Sequence, residues 1–384
     1  MLDLVKIRKE LHSLAELSGK EVKTRAYLKN LLEPLDPDDL FELSGSLIAV
    51  FDSKTGGENI AFRADIDALP ISETGSFAHR SKDPLVSHLC GHDGHSTIML
   101  GLAEHISQNR PESGKAVLIF QSAEETGEGA KALVKDERFL SLGIKRTFGF
   151  HNLPGLKQGT IYLKKNSFAS SSVGLEVRFK GKTSHSSQPE NGISPVPAIT
   201  RLIEFIEQLK ADQKNLFDSK ILITVVGIKA GNKDFGISPD KGQIFMTIRA
   251  YMNSDMDKIS TLIEAEINKI SSDLKVLSEY EYFEYFPAVE NCNEMVSFIE
   301  KLCSEKAIQY EHLKEPYFWS EDFAFYGELS KICFFGIGSG IKQPHLHALN
   351  YDFNDNIIKT GVEMYKMIYN SNFRQNAKTN LNLW

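Results

Sequence analysis

Four short segments concentrate side chains that bind metals or move protons: HLCGHDGH (88–95), QSAEE (121–125), FHNLP (150–154) and HLHALNYDFND (345–355). Each adds Cys, His or Glu at what reads as the end of a strand, where packing does not call for it. Together they offer enough borderline ligands for two divalent ions. One carboxylate is left over as a base, which is the make-up of a metal-dependent hydrolase. The whole chain has 11 histidines, so three of them beside Cys90 and Asp93 in one segment are hard to assign to packing.

Cys90 and His92 can reach one ion if the backbone between them is extended, while Asp93 is a natural helix N-cap. Glu124 and Glu125 are adjacent carboxylates that repel unless cations or protons compensate. One then serves a metal and the other proton transfer, and spacing leaves open which does which. His151 lies in the apolar run GFHNL, where a lone histidine is ordinarily a hydrogen-bonded core residue; the ligands on the other strand ends make it a candidate. His345 and His347 share a face in extended chain, and at most one is expected to bind metal. Asp65 and Asp67 also share a face, and Asp67 is the candidate for orienting a ligand from behind. A Cys90–His pair raises a different chemistry, acyl transfer through a thioester, although Cys90 sits among more ligands than a dyad needs.

These residues need a scaffold. The spacing predicts two short helices over 3–33 and strands at 45–52 and 59–66. An irregular stretch then runs to Cys90, followed by a helix at 93–108, a strand at 115–123, a helix at 127–136 and a strand at 146–153. Such alternation means an α/β sheet, whose strand ends open onto the crevice where such folds place their sites. The pattern changes at 172–181, 195–210, 221–230, 242–251, 255–274 and 275–286. Strand and helix there follow the order β-α-β-β-α-β of a ferredoxin-like unit. Helices at 294–306 and 320–329, a strand at 331–338 and a helix at 355–370 resume the first domain. The expected organisation is therefore a catalytic domain at 1–168 and 287–384, interrupted by an inserted domain at 169–286. The polar tail QNAKTNLNLW (375–384) is expected to fray.

The composition is that of a globular protein, 41% hydrophobic and 25% charged. A net charge of −7 argues against nucleic acid or an anionic membrane as partner. No run approaches a membrane span or a signal peptide. Four scattered cysteines suggest a reducing, cytoplasmic setting.

Taken in order, IRKELH, FRADIDALP, HLCGHDGH, QSAEETGEGA, HNLP, GKTSH, SEDFAFY and LHALNYDFND resemble the amidohydrolase branch of the aminoacylase and carboxypeptidase-G type metallopeptidases. Hippurate hydrolases and hydrolases of auxin–amino-acid conjugates belong to that branch. The resemblance covers nearly the whole chain. It implies an α/β catalytic domain with a mixed sheet and a lid domain through which homodimers form. It also implies two divalent ions, zinc or manganese with nickel or cobalt also fitting, held by Cys90, His92, Glu125, His151 and His347. By the same resemblance Glu124 is the general base, His185 in GKTSH stabilises the oxyanion, and Arg249 in MTIRAY holds a substrate carboxylate, with a surface salt bridge as its alternative. The implied reaction is hydrolysis of a small N-acyl amino acid. A metal-dependent dipeptidase or carboxypeptidase is one alternative, and a non-catalytic acyl-amino-acid binding protein another. Gly236 stands where relatives carry Asn, Glu190 follows Pro189 where they often carry His, and Ala348-Leu349 follows His347 where they often read H-P. These departures bear on specificity more than on reaction type.

Overall fold

The computed structural model describes residues 1–374; the tail expected to fray lies outside them. Its main strands, in chain order, are β1 (Asp39–Leu43), β2 (Ser46–Asp52), β3 (Asn59–Asp65), β4 (Lys115–Gln121), β5 (Ile144–Pro154), β6 (Ile161–Leu163), β7 (Ser171–Lys180), β8 (Ile221–Ala230), β9 (Lys241–Ala250), β10 (Leu277–Phe286), β11 (Tyr310–His312) and β12 (Lys331–Gly340). The main helices are α1 (Leu4–Leu14), α2 (Val22–Leu32), α3 (His92–Gln108), α4 (Val196–Ala211), α5 (Asn253–Leu274), α6 (Asn293–Glu305) and α7 (Ile358–Phe373).

The chain divides into two compact units. The first comprises Met1–Phe168, Val289–Glu315 and the chain from Glu321 onward. Its eight-stranded mixed sheet has the order β1-β2-β4-β3-β5-β12-β6-β11. The β3–β4, β3–β5 and β5–β12 pairs are parallel, so the C-terminal ends of these four strands converge at one edge. Buried on both faces, β4 and β12 read as continuous apolar runs rather than alternating ones. Helix α3 packs against α1 and α7 as well as β3.

The second unit is Ala169–Ala288 with Pro316–Ser320. Its four strands lie in the order β8-β9-β7-β10, all antiparallel, which is the ferredoxin-like arrangement. Inward residues of β7 (Val173, Leu175, Val177, Phe179) meet Met256, Ile259, Ile263, Ile267 and Ile270 of α5, which recur at helical spacing. Residues 316–320 join this unit through the Ser170 amide, which donates to the Tyr317 carbonyl, and through the Tyr251–Phe318 ring contact.

Some elements differ from the sequence-based expectation. The helix at 127–136 is a single turn, Gly129–Leu133. The helix at 320–329 is a 3-10 segment, Asp322–Glu328, whose opening carboxylates serve other partners. Asp322 accepts from the Ala130 amide and the Gln121 side chain, and Glu321 accepts from the Phe323 amide. The short strands β1, β6 and β11 have too few residues to show a period.

Candidate metal centre

Each candidate side chain of the first unit reaches the converging strand ends by its own route. Gly91 turns the chain between Cys90 and His92 at φ +98°. A Cβ there would lie 2.3 Å from Asn152 Oδ1, so only glycine lets Cys90 and the start of α3 approach β5 this closely. Glu124 and Glu125 follow β4, His151 lies within β5, and His347 sits in the irregular segment after β12 at φ +65°.

The ligand-type atoms form overlapping groups, each within 4.8 Å: Cys90–His92–His151, Cys90–Glu125–His347 and His92–Glu124–Glu125. All five residues expected to be ligands are thus brought together, with Glu124 beside them. Cys90, His92 and Glu125 each belong to two of these groups. His347, not His345, is the member of the pair that arrives. His92 donates from Nδ1 to Asp67 (Oδ1 at 3.1 Å), which leaves Nε2 to face inward. Asp67 is itself held by the Ser18 hydroxyl and the Glu125 amide. His151 donates from Nδ1 to the Asn152 carbonyl, so its lone pair is on Nε2, 3.4 Å from Cys90 Sγ.

Two buried polar atoms test whether cations fit. His92 Nε2 and Glu125 Oε1 have no hydrogen-bond partner, yet lie 3.8 Å apart, and Glu125 Oε1 is 3.6 Å from His347 Nε2. Buried polar atoms are rarely left this way, and ions between them would satisfy both. One thiol, three imidazoles and a carboxylate suit zinc and accept manganese, cobalt or nickel. The electrostatics agree. Burial disfavours a charged His92 ring, but Asp65 and Asp67 more than offset it and lift its pKa to about 10, so the pocket attracts positive charge. Burial, then Glu125 and Glu124, hold the Cys90 thiol well above its usual range, and burial with His95 pushes His151 well down. A thiolate–imidazolium nucleophile is therefore disfavoured here without added cations.

Glu124 is 6% exposed. Burial, then Glu321, Glu125 and Asp322, push its carboxyl well above the usual range, with Arg63 opposing. Behind it lies a network that sequence reasoning missed. Arg63, 1% exposed, binds Asp65 (2.6 Å), Glu321 (2.8 Å), Asp322 (2.9 Å) and Gln121 (2.9 Å).

Two candidates lie in the second unit. His185 is exposed, and its Nδ1 accepts from the Ser187 amide at 3.2 Å, which leaves Nε2–H as a donor. Arg249 is partly buried and donates to the Phe318 carbonyl (2.6 Å) and Ser320 Oγ (3.1 Å). It forms no ion pair among the described residues, so the surface salt bridge considered for it is not what the structure shows.

Residues 61–371 match the model of peptidase family M20/M25/M40. The chain belongs to this family. An N-acetylcysteine deacetylase from Bacillus subtilis is 29% identical over 91% of this M20 chain and 92% of its own. An uncharacterized hydrolase from Staphylococcus aureus is 30% identical over 96% and 97% of the two chains. Among solved structures, a dinuclear metal binding peptidase of the M20 family from Bacillus subtilis superposes with a TM-score of 0.82 at 25% identity, covering 95% of this chain and 96% of that one. A structure from methicillin-resistant Staphylococcus aureus has the same fold, with a TM-score of 0.88 at 24% identity over 96% and 95% of the chains. The resemblance read from the motifs is thus borne out, and the protein is a metal-dependent hydrolase of the amidohydrolase branch of M20.

Proposed function

We propose that this M20 hydrolase cleaves the amide bond of N-acyl amino acids, releasing a carboxylic acid and an amino acid. The observation that carries the reading is a buried carboxylate, Glu124, set against two ligand groups that share Cys90. In this proposal one ion is held by Cys90, His92 and His151 and the other by Cys90, Glu125 and His347. When bound, such ions polarise a carbonyl and acidify water. Glu124 takes a proton from the attacking water and returns it to the amide nitrogen as the C–N bond breaks, so one group serves as base and then acid. Asp67 keeps His92 in the tautomer that presents Nε2.

The second unit supplies the rest of the proposal. His185 donates Nε2–H to the oxyanion of the tetrahedral intermediate. Arg249 is desolvated and without a carboxylate partner, so it binds the carboxylate of the amino-acid product. The unit acts as a lid and as the homodimer interface. The name of the deacetylase relative supports an N-acyl amino acid substrate. All four cysteines are unpaired, which suits a reducing cytoplasm, and among the described residues no helix is long and apolar enough to cross a membrane.

The test is a panel of N-acyl amino acids and dipeptides assayed with EDTA and after return of Zn²⁺ or Mn²⁺. Metal-restored turnover of the acyl amino acids supports the reading. Turnover of dipeptides alone favours a dipeptidase, and saturable binding without turnover favours a binding protein. Activity indifferent to EDTA sinks the metal reading.

A further inference from the structure

His347 differs from the other candidate ligands. Its side chain is 47% exposed and its segment is irregular, whereas Cys90, His92 and His151 are buried at α3 or in β5. A ligand on such a segment binds tightly only if something else fixes the segment. That restraint comes from α1. Arg8, 1% exposed, forks onto Asp355 (Nε–Oδ1 2.7 Å, Nη2–Oδ2 3.2 Å) and reaches Asp352 Oδ1 at 2.6 Å. Both acids lie shortly after His347. The same guanidinium is 3.5 Å from Asp93, the residue after His92. One turn along α1, on the same face, His12 contacts Asp93 (2.8 Å) and Glu73 (3.1 Å).

We infer that Arg8 and His12 are positioning residues that lock the His347 segment to the start of α3, so that the Cys90–Glu125–His347 group closes. The inference rests on the metal-centre reading above. Two backbone bonds complete the clamp: the His347 amide donates to the Leu89 carbonyl and the Thr74 amide to the Leu349 carbonyl. The Asp355 carbonyl also accepts from the Ile358 amide as the last helix begins, and side chains supply the link to α1, with Arg8 on both acids and His79 on Asp352 at 3.0 Å. Burial would lower the His12 pKa, but hydrogen bonds to Asp93 and Glu73 lift it to about 9, so α1 presents two cations to these carboxylates. The Arg8 fork is directional, so it sets the angle of the segment as well as its distance.

The test titrates Zn²⁺ into the chelator-stripped full-length protein by calorimetry with a competing chelator. It compares wild type with His347→Ala, Arg8→Gln, Arg8→Lys and Asp355→Asn, and records metal-free melting beside it. Wild type is expected to bind two ions. His347→Ala should weaken one of them. Arg8→Gln and Asp355→Asn should weaken that same ion about 10–100-fold and spare the other, with Arg8→Lys between because it keeps charge without the fork. If Arg8→Gln fails to fold, Asp355→Asn, whose carboxylate is 25% exposed, decides. Unchanged binding of both ions, or equal weakening of both, overturns the inference. Wild type that binds no ion overturns the metal-centre reading itself, and this inference with it.

Discussion

The charge on His12 makes stability depend on pH in a calculable way. In the folded chain its pKa is about 9 against an ordinary 6.5, because hydrogen bonds to Asp93 and Glu73 outweigh the burial that opposes them. A raised pKa stabilises the fold fully below pH 6.5, and that contribution is lost as pH rises through about 9. At 1.36 kcal/mol per pH unit, the difference amounts to something on the order of 3 kcal/mol. The perturbation is His12→Gln, which keeps a polar side chain and cannot take the proton. The assay is denaturant unfolding of both proteins in EDTA from pH 6 to pH 10. His92 also titrates near pH 10 in the metal-free chain, but it does so in both proteins and drops out of the difference. Wild type should exceed the variant most at pH 6, and the gap should shrink by about 3 kcal/mol by pH 10. A gap that stays constant over this range, or widens, refutes a charged His12.

Glu124→Gln should keep both ions by calorimetry and lower kcat by about 10²–10⁴. Asp67→Asn should weaken metal binding about 10–100-fold, read by competition with a chelating dye, because the carboxylate that makes His92 more basic becomes a neutral amide, although the residue-67 carbonyl still accepts from Nδ1 at 3.0 Å. Gly91→Ala places a side chain at φ +98° and against Asn152; it should cost at least about 1–3 kcal/mol in denaturant unfolding. Arg249→Ala should raise KM for an acyl amino acid roughly 10–100-fold while kcat changes less, and an equal fall in kcat and kcat/KM would place Arg249 in the chemical step instead.

Glu124, Glu125 and His151 were legible as candidates because each interrupts or ends an apolar strand, a local pattern that needs no knowledge of distant partners, whereas Cys90 and His347 lie in irregular chain and were assigned through the motifs of the resemblance. The inserted unit was legible from the change of period after residue 170. The Arg63 network was not, because its partners Glu321 and Asp322 lie more than 250 positions away, beyond the inserted unit. An arginine inside NIAFRAD, a strand buried along nearly its whole length, was the available clue, since a buried guanidinium must be paired. Arg8 and His12 were hidden differently. Helix α1 reads as an ordinary amphipathic surface helix, yet its buried face carries Ile7, Arg8, Leu11 and His12. Polar residues within the apolar stripe, four apart, were the sign that this face meets charge as well as core. The short helix at Gly129 and the 3-10 segment at Asp322 escaped prediction because side-chain bonds from far along the chain decide their geometry.

The position of β12 governs when the sheet can be completed during synthesis. This strand lies between β5 and β6, although about 170 residues separate it from them in sequence. At about 5–20 residues per second, a ribosome exposes the β5 edge for roughly 10–35 s before its neighbour emerges. Through that interval Cys90, His92, Glu125 and His151 have been translated and His347 has not. The nascent chain thus holds an open edge and a thiol, the conditions under which strands add to the wrong partner. Meanwhile the ferredoxin-like unit, contiguous apart from Pro316–Ser320, can form while the first unit waits. Refolding from denaturant removes this order of appearance, so refolding yield should fall below the yield on translation, and more so as concentration rises.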